Sequence, residues 1–144
     1  MSDSCWFQIE VKNCDVEKFK QTFKPLIEYP ADEENEHDGT TNIIFYEADY
    51  GFYNELEVLS TTNLQFSGNH DSGGGYGSHT FVSNGTKRME IEQGHDGGYV
   101  CNFDTAMNIL QSDIDTIKEF LAMKNSVHRY FAEKINEYPT LKTA

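Results

Sequence analysis

Three histidines stand directly before an aspartate: His37-Asp38, His70-Asp71 and His95-Asp96. Each pair is followed within two residues by glycine. The contexts of His70-Asp71 and His95-Asp96 echo each other, and because Asp and Gly are turn-making residues the plain reading is turn chemistry used twice. The sharper reading is a metal site. His70, His79, His95 and Asp96, with Asp71 beside them, fall on neighbouring connections of one predicted meander. Imidazole with carboxylate suits zinc or another transition ion. The spacing matches no H-E-x-x-H pattern or comparable ligand run.

Five of the eleven glycines lie in residues 67–79, Ser-Gly-Asn-His-Asp-Ser-Gly-Gly-Gly-Tyr-Gly-Ser-His. A spacer needs only Gly and Ser, whereas this stretch also carries His70, Asp71, Tyr76 and His79. It reads as a shaped loop, with Gly74 and its neighbours supplying at least one positive φ. As a ligand loop it would present His70, Asp71, Gly74, Tyr76 and His79. It lacks the Lys-Ser/Thr and the following helix of a phosphate-binding loop. No nucleophile elbow or comparable catalytic signature is present, so a non-enzymatic role is expected and no cofactor is assigned.

Charge dominates the composition. Twenty-four acids face eleven bases, for a formal net charge of −13, and no Lys or Arg occurs between Lys24 and Lys87. Nucleic-acid binding draws its affinity from cations, so this balance argues against it and for a basic protein partner. Candidate partner-binding residues are Glu33, Glu34, Glu36 and Asp38 in an acidic segment, with Glu47, Asp49, Tyr50, Tyr53 and Glu55 after it. Aromatic rings beside carboxylates suit an arginine-bearing surface, because guanidinium groups stack on them.

The elements that position these residues follow from periodicity. Cys5, Phe7, Ile9 and Val11 alternate with polar neighbours and predict a half-buried strand. Val16, Phe19 and Phe23 form a helical stripe that Pro25 ends. Residues 30–41 read as an acidic loop. The Ile43-Ile44-Phe45-Tyr46 run predicts a central strand, and Leu56 and Leu59 a short helix. Strands then flank the Gly-rich loop of residues 67–79. Asn84-Gly85 signals a hairpin leading into the alternating stretch Arg88 to Gln93, with a last strand at Tyr99 to Phe103. Residues 104–138 are helical, with a break expected at Lys124-Asn125-Ser126. The stripe Ile114, Ile117, Phe120, Leu121, Val127, Phe131 and Ile135 could serve a core or a homodimer.

The 144 residues therefore predict one α+β domain. Its sheet is antiparallel or mixed, with a split-βαβ-like start, helices on one face and a C-terminal helical segment. No run approaches a membrane span. The first residues show no secretory pattern, and Cys5, Cys14 and Cys101 lack CxxC spacing, so a cytoplasmic location is expected. Size, acidity and lack of a catalytic signature resemble those of small phage or plasmid anti-defence inhibitors and toxin-immunity proteins. That resemblance is one of type and assigns no residue. The leading expectation is an acidic inhibitor of a basic, nucleic-acid-binding protein. The alternatives are a nucleotide or metal binder using the His/Asp loops, and a structural or assembly protein.

Overall fold

The computed structural model describes residues 4–93 and 111–133. Strand β1 (Ser4–Lys12) buries Cys5, Phe7, Ile9 and Val11, as its alternation demands. Its pairing register against the third strand shifts between Cys5 and Phe7, around Trp6. Helix α1 (Val16–Thr22) buries Phe19, and α2 (Lys24–Glu28) carries Pro25 in its first turn, where a missing N–H costs nothing. Strands β2 (Glu33–His37) and β3 (Thr40–Asp49) follow, then α3 (Tyr53–Leu59), β4 (Gln65–His70), β5 (His79–Asn84), β6 (Arg88–Glu92) and α4 (Gln111–Ala132).

The six strands form one sheet in the order β2-β3-β1-β4-β5-β6, and every neighbouring pair is antiparallel. The fold is α+β. Strands β1 and β2 both oppose β3 and so run parallel with β3 between them, which is the split βαβ arrangement.

Several expectations need correction. Residues 33–37 of the expected acidic loop are strand β2. Its five residues are exposed, and backbone pairing with β3 holds them at the sheet edge. The connecting Asp38-Gly39 turn has φ of 48° and 88°, the signature of a tight hairpin. The Gly-rich connection is only residues 71–78, because β4 claims His70 and β5 claims His79. None of the described positive-φ residues falls within it. At Gly73 the need is for close approach: a Cβ there would collide with the Tyr76 ring. Helix α4 runs unbroken through Lys124-Asn125-Ser126. The expected strand at Tyr99 to Phe103 lies outside the described residues, as do residues 104–110 and 134–138 of the expected C-terminal helices.

Helices cover both faces of the sheet, not one. Odd-numbered β1 residues, with Phe45, Phe66 and Phe81, pack against Phe19, Phe23, Leu56 and Leu59. Four aromatic rings interlock there: Phe52 lies 5.0 Å from Phe7, 5.6 Å from Phe23 and 5.1 Å from Phe45, edge to face. On the opposite face, Val82 and Ile91 meet Phe120, Val127 and Phe131 of α4. Phe120, Val127 and Phe131 of the α4 stripe thus serve the core of this chain, whereas Leu121 is exposed and Ile135 lies outside the described residues. Lys12 fixes the end of α4: its buried ammonium donates to the carbonyls of Tyr130 (2.9 Å) and Glu133 (2.7 Å), the negative end of the helix dipole. No helix among the described residues is long and apolar enough to cross a membrane.

Candidate functional site

Side-chain parity sets the site. On β4, Phe66, Gly68 and His70 share the face that carries the aromatic core, and on β5 His79 and Phe81 do so. The register pairs His70 with His79 and Phe81 with Glu90. Arg88, Glu90 and Glu92 of β6 therefore face the same way, while Met89 and Ile91 turn to α4. The aromatic core fills this face up to Phe81. Beyond it the sheet surface is polar, and a cavity of about 530 Å³ opens there.

His70 and His79 form the floor, with ring centroids 5.4 Å apart. His70 is buried, and its Nδ1–H donates to the Asp71 carbonyl at 2.8 Å. His79 Nδ1–H donates to the Gly77 carbonyl at 2.9 Å. A carbonyl only accepts, so each ring carries a proton on Nδ1, and in the neutral tautomer Nε2 is the atom with the lone pair. Glu90 supplies the third group. One donor atom from each of His70, His79 and Glu90 falls within 4.8 Å of the others, and His79 Nε2 stands 3.9 Å from Glu90 Oε2. Burial depresses the His70 pKa most strongly; the bond to Asp71 opposes this and the neighbouring His79 adds to it.

Arg88 braces Glu90 from behind. Its guanidinium bonds Glu90 Oε1 at 2.5 Å and also pairs with Glu57 of α3, while lying 4.8 Å over the Tyr53 ring. Burial works against this charge, but the bonds to Glu57 and the charge of Glu90 outweigh it, and the Arg88 pKa is raised. Glu90 is thus held at one oxygen and open at the other.

The wall is a left-handed turn. Tyr50, Gly51 and Phe52 have φ of 54°, 60° and 54° in succession. For the two non-glycines such a backbone costs about 1–2 kcal/mol each. Phe52 is anchored in the aromatic core. Gly51 lies against His70, and the Tyr50 ring reaches Tyr76 at 5.9 Å. Strain held in place beside a cavity is the usual mark of a shaped site.

Of the expected partner-binding residues, Asp49, Tyr50, Tyr53 and Glu55 line this one cavity. Tyr50 is 61% and Tyr53 51% exposed. Glu47 lines a neighbouring cavity of about 490 Å³, which shares Asp49 and Glu55. Glu33, Glu34 and Glu36 stand apart on β2 and already have partners: Tyr46 Oη donates to Glu33 at 2.7 Å, Lys20 pairs with Glu34 at 2.6 Å, and Asn13 donates to Glu36 at 3.0 Å. Asp38 pairs with the exposed His37 in the hairpin turn at 3.1 Å.

Of the expected ligand loop, His70, Tyr76 and His79 line the cavity. Asp71 is exposed, with its backbone N–H bonded to the Trp6 carbonyl. Gly74 sits inside the turn closed by the bond from Gly73 N–H to the Tyr76 carbonyl, away from the cavity lining. Of the expected metal set, His70 and His79 meet, and His95 and Asp96 lie outside the described residues. Glu90 and Arg88 were absent from every candidate set, although the alternation of Met89 and Ile91 already puts Arg88, Glu90 and Glu92 on the other face. The connection 71–78 joins two antiparallel strands, which is not the strand–loop–helix setting of a phosphate cradle. No protein-family model, curated protein or solved structure matches the chain.

Proposed function

We propose that this is an acidic, non-enzymatic binding protein that neutralises a basic, nucleic-acid-binding protein. It would take a cationic side chain of that partner into the cleft beside the Tyr50–Phe52 turn. The observation that carries this reading is the gathering of Asp49, Tyr50, Tyr53 and Glu55 around one cavity. Among the described residues no Lys or Arg pairs with Asp49 or Glu55. Arg88 already lies over Tyr53, and the exposed Tyr50 ring offers the same kind of surface to a guanidinium from outside. The net charge of −13 would speed encounter with a cationic surface. An anti-defence inhibitor and a toxin-immunity protein would use this cleft alike and differ in the partner.

The test is affinity capture from lysate at low and moderate salt, run in parallel with a variant carrying Asp49→Asn, Tyr50→Ala, Tyr53→Ala and Glu55→Gln. The wild type should retain a basic protein that the variant loses, with association slowing as salt rises. Capture of no basic protein, or equal capture by both forms, contradicts the reading.

A further inference from the structure

We infer that His70, His79 and Glu90 form a binding site for one first-row transition ion, with zinc as the reference occupant. Three independent features point to it. The donors come from three adjacent strands and converge on one point, within 4.8 Å of one another. A tetrahedral zinc ion with bonds of about 2.1 Å needs donors about 3.4 Å apart. The pair His79 Nε2 and Glu90 Oε2, at 3.9 Å, is already close to that, and a small rotation of each side chain closes the rest.

Each ligand is also held from behind. Metal-bound histidines almost always donate their second ring N–H to a carbonyl or carboxylate, which fixes the tautomer and aims the lone pair. Both histidines do this here through backbone carbonyls, at Asp71 and Gly77. Arg88 holds Glu90 Oε1 and leaves Oε2 toward the histidines.

The third feature is access. Gly51 packs on the face of the His70 ring, where a Cβ would stand 2.7 Å from Cδ2, and so lies off the ring plane in which the Nε2 lone pair points. The site also opens on a cavity of about 530 Å³, so an ion bound by three protein groups keeps a coordination position facing open space. Two imidazoles and one carboxylate select zinc, iron, cobalt or nickel over magnesium and calcium, which prefer oxygen. The open position would take a donor from a small molecule or from a partner's side chain. The three ligands all come from this chain, so the site forms without the proposed partner, although both use the same cavity.

The experiment uses the full chain without an affinity tag, freed of metal by a chelator and dialysed. Zinc chloride is titrated calorimetrically, and cobalt chloride is followed by visible absorption. One ion per chain is expected, with a cobalt spectrum showing mixed nitrogen and oxygen ligation. His79→Ala and Glu90→Gln, both at partly exposed positions, should each weaken zinc by at least about tenfold, the loss already typical when a residue that merely supports a ligand is removed. His37→Ala, at the exposed end of β2, should bind as the wild type does. Binding of less than one ion per chain, or unchanged affinity in His79→Ala and Glu90→Gln, overturns the assignment. So does loss of binding in His95→Ala while His79→Ala retains it. Partner capture plays no part in these readouts, so the two proposals fail separately.

Discussion

Gly51 and His70 are in contact so close that a single methyl group would not fit between them: a Cβ on Gly51 would lie 2.7 Å from His70 Cδ2. The contact joins the left-handed turn to the histidine floor, and two demands meet at one residue. The backbone needs φ of 60°, and the side chain must be absent. Gly51→Ala should therefore destabilise by about 1–3 kcal/mol in urea melts, the usual range for a strained backbone position. It should also shift the His70 ring resonances by NMR. A stability change below about half a kcal/mol would mean that the turn yields easily and does not shape the site.

Protonation of His70 gives a pH signature in the chelator-treated protein. Its folded pKa lies below the ordinary value of 6.5, because burial disfavours the imidazolium. Above about pH 7 both folded and unfolded forms are neutral and the group contributes nothing to the pH dependence. As pH falls below 6.5 the unfolded chain takes the proton first, so stability drops. The drop ends once the folded form protonates too, and its slope from this one group stays under about 1.4 kcal/mol per pH unit. Urea melts between pH 5 and 7.5 on the wild type and His70→Gln should show a drop that the variant lacks. Parallel profiles would assign the dependence to other groups.

Phe120→Ala should destabilise by about 3–5 kcal/mol, as for a large buried aromatic. Phe120 is fully buried where α4 meets Val82 and Ile91. A loss below about 1 kcal/mol would show that α4 contributes little to the core.

Replacing Glu33, Glu34, Glu36 and Asp38 together by Gln or Asn should cost little. The pairs made by Glu34 and Glu36 are exposed, and exposed pairs contribute about 0–1 kcal/mol. The edge strand is held by backbone bonds to β3, which the change leaves intact. Circular dichroism and urea melts should confirm a folded variant. Partner association should slow while dissociation stays nearly constant, because these residues lie away from the cleft. A large rise in dissociation rate would move the interface to β2.

Much of this arrangement was legible in the residues. The β1 alternation, the α4 stripe apart from Leu121, and the nearness of His70 to His79 follow from pattern and type. Strand β2 was hidden because Glu-Glu-Asn-Glu-His has poor strand propensity and buries nothing; it exists by pairing with β3. The Asp38-Gly39 hairpin signal was present and outweighed by the acidity around it. Glu90 was hidden for another reason. Its neighbours Met89 and Ile91 reveal its face, but only the cross-strand register sets it diagonally opposite His79. The left-handed turn had no local signal beyond Gly51: Phe52 holds that backbone with its ring packed among Phe7, Phe23 and Phe45, contacts made by residues distant in the chain.

Occupancy of the cleft beside Tyr50 is read by chemical-shift mapping of the labelled full chain with a short arginine-rich peptide at moderate salt. Saturable shifts should concentrate at Asp49, Tyr50, Tyr53 and Glu55 and be lost in the variant with both tyrosines replaced by alanine. Shifts spread evenly over β2 and the other acidic surface, or centred away from the cleft, would contradict that occupancy.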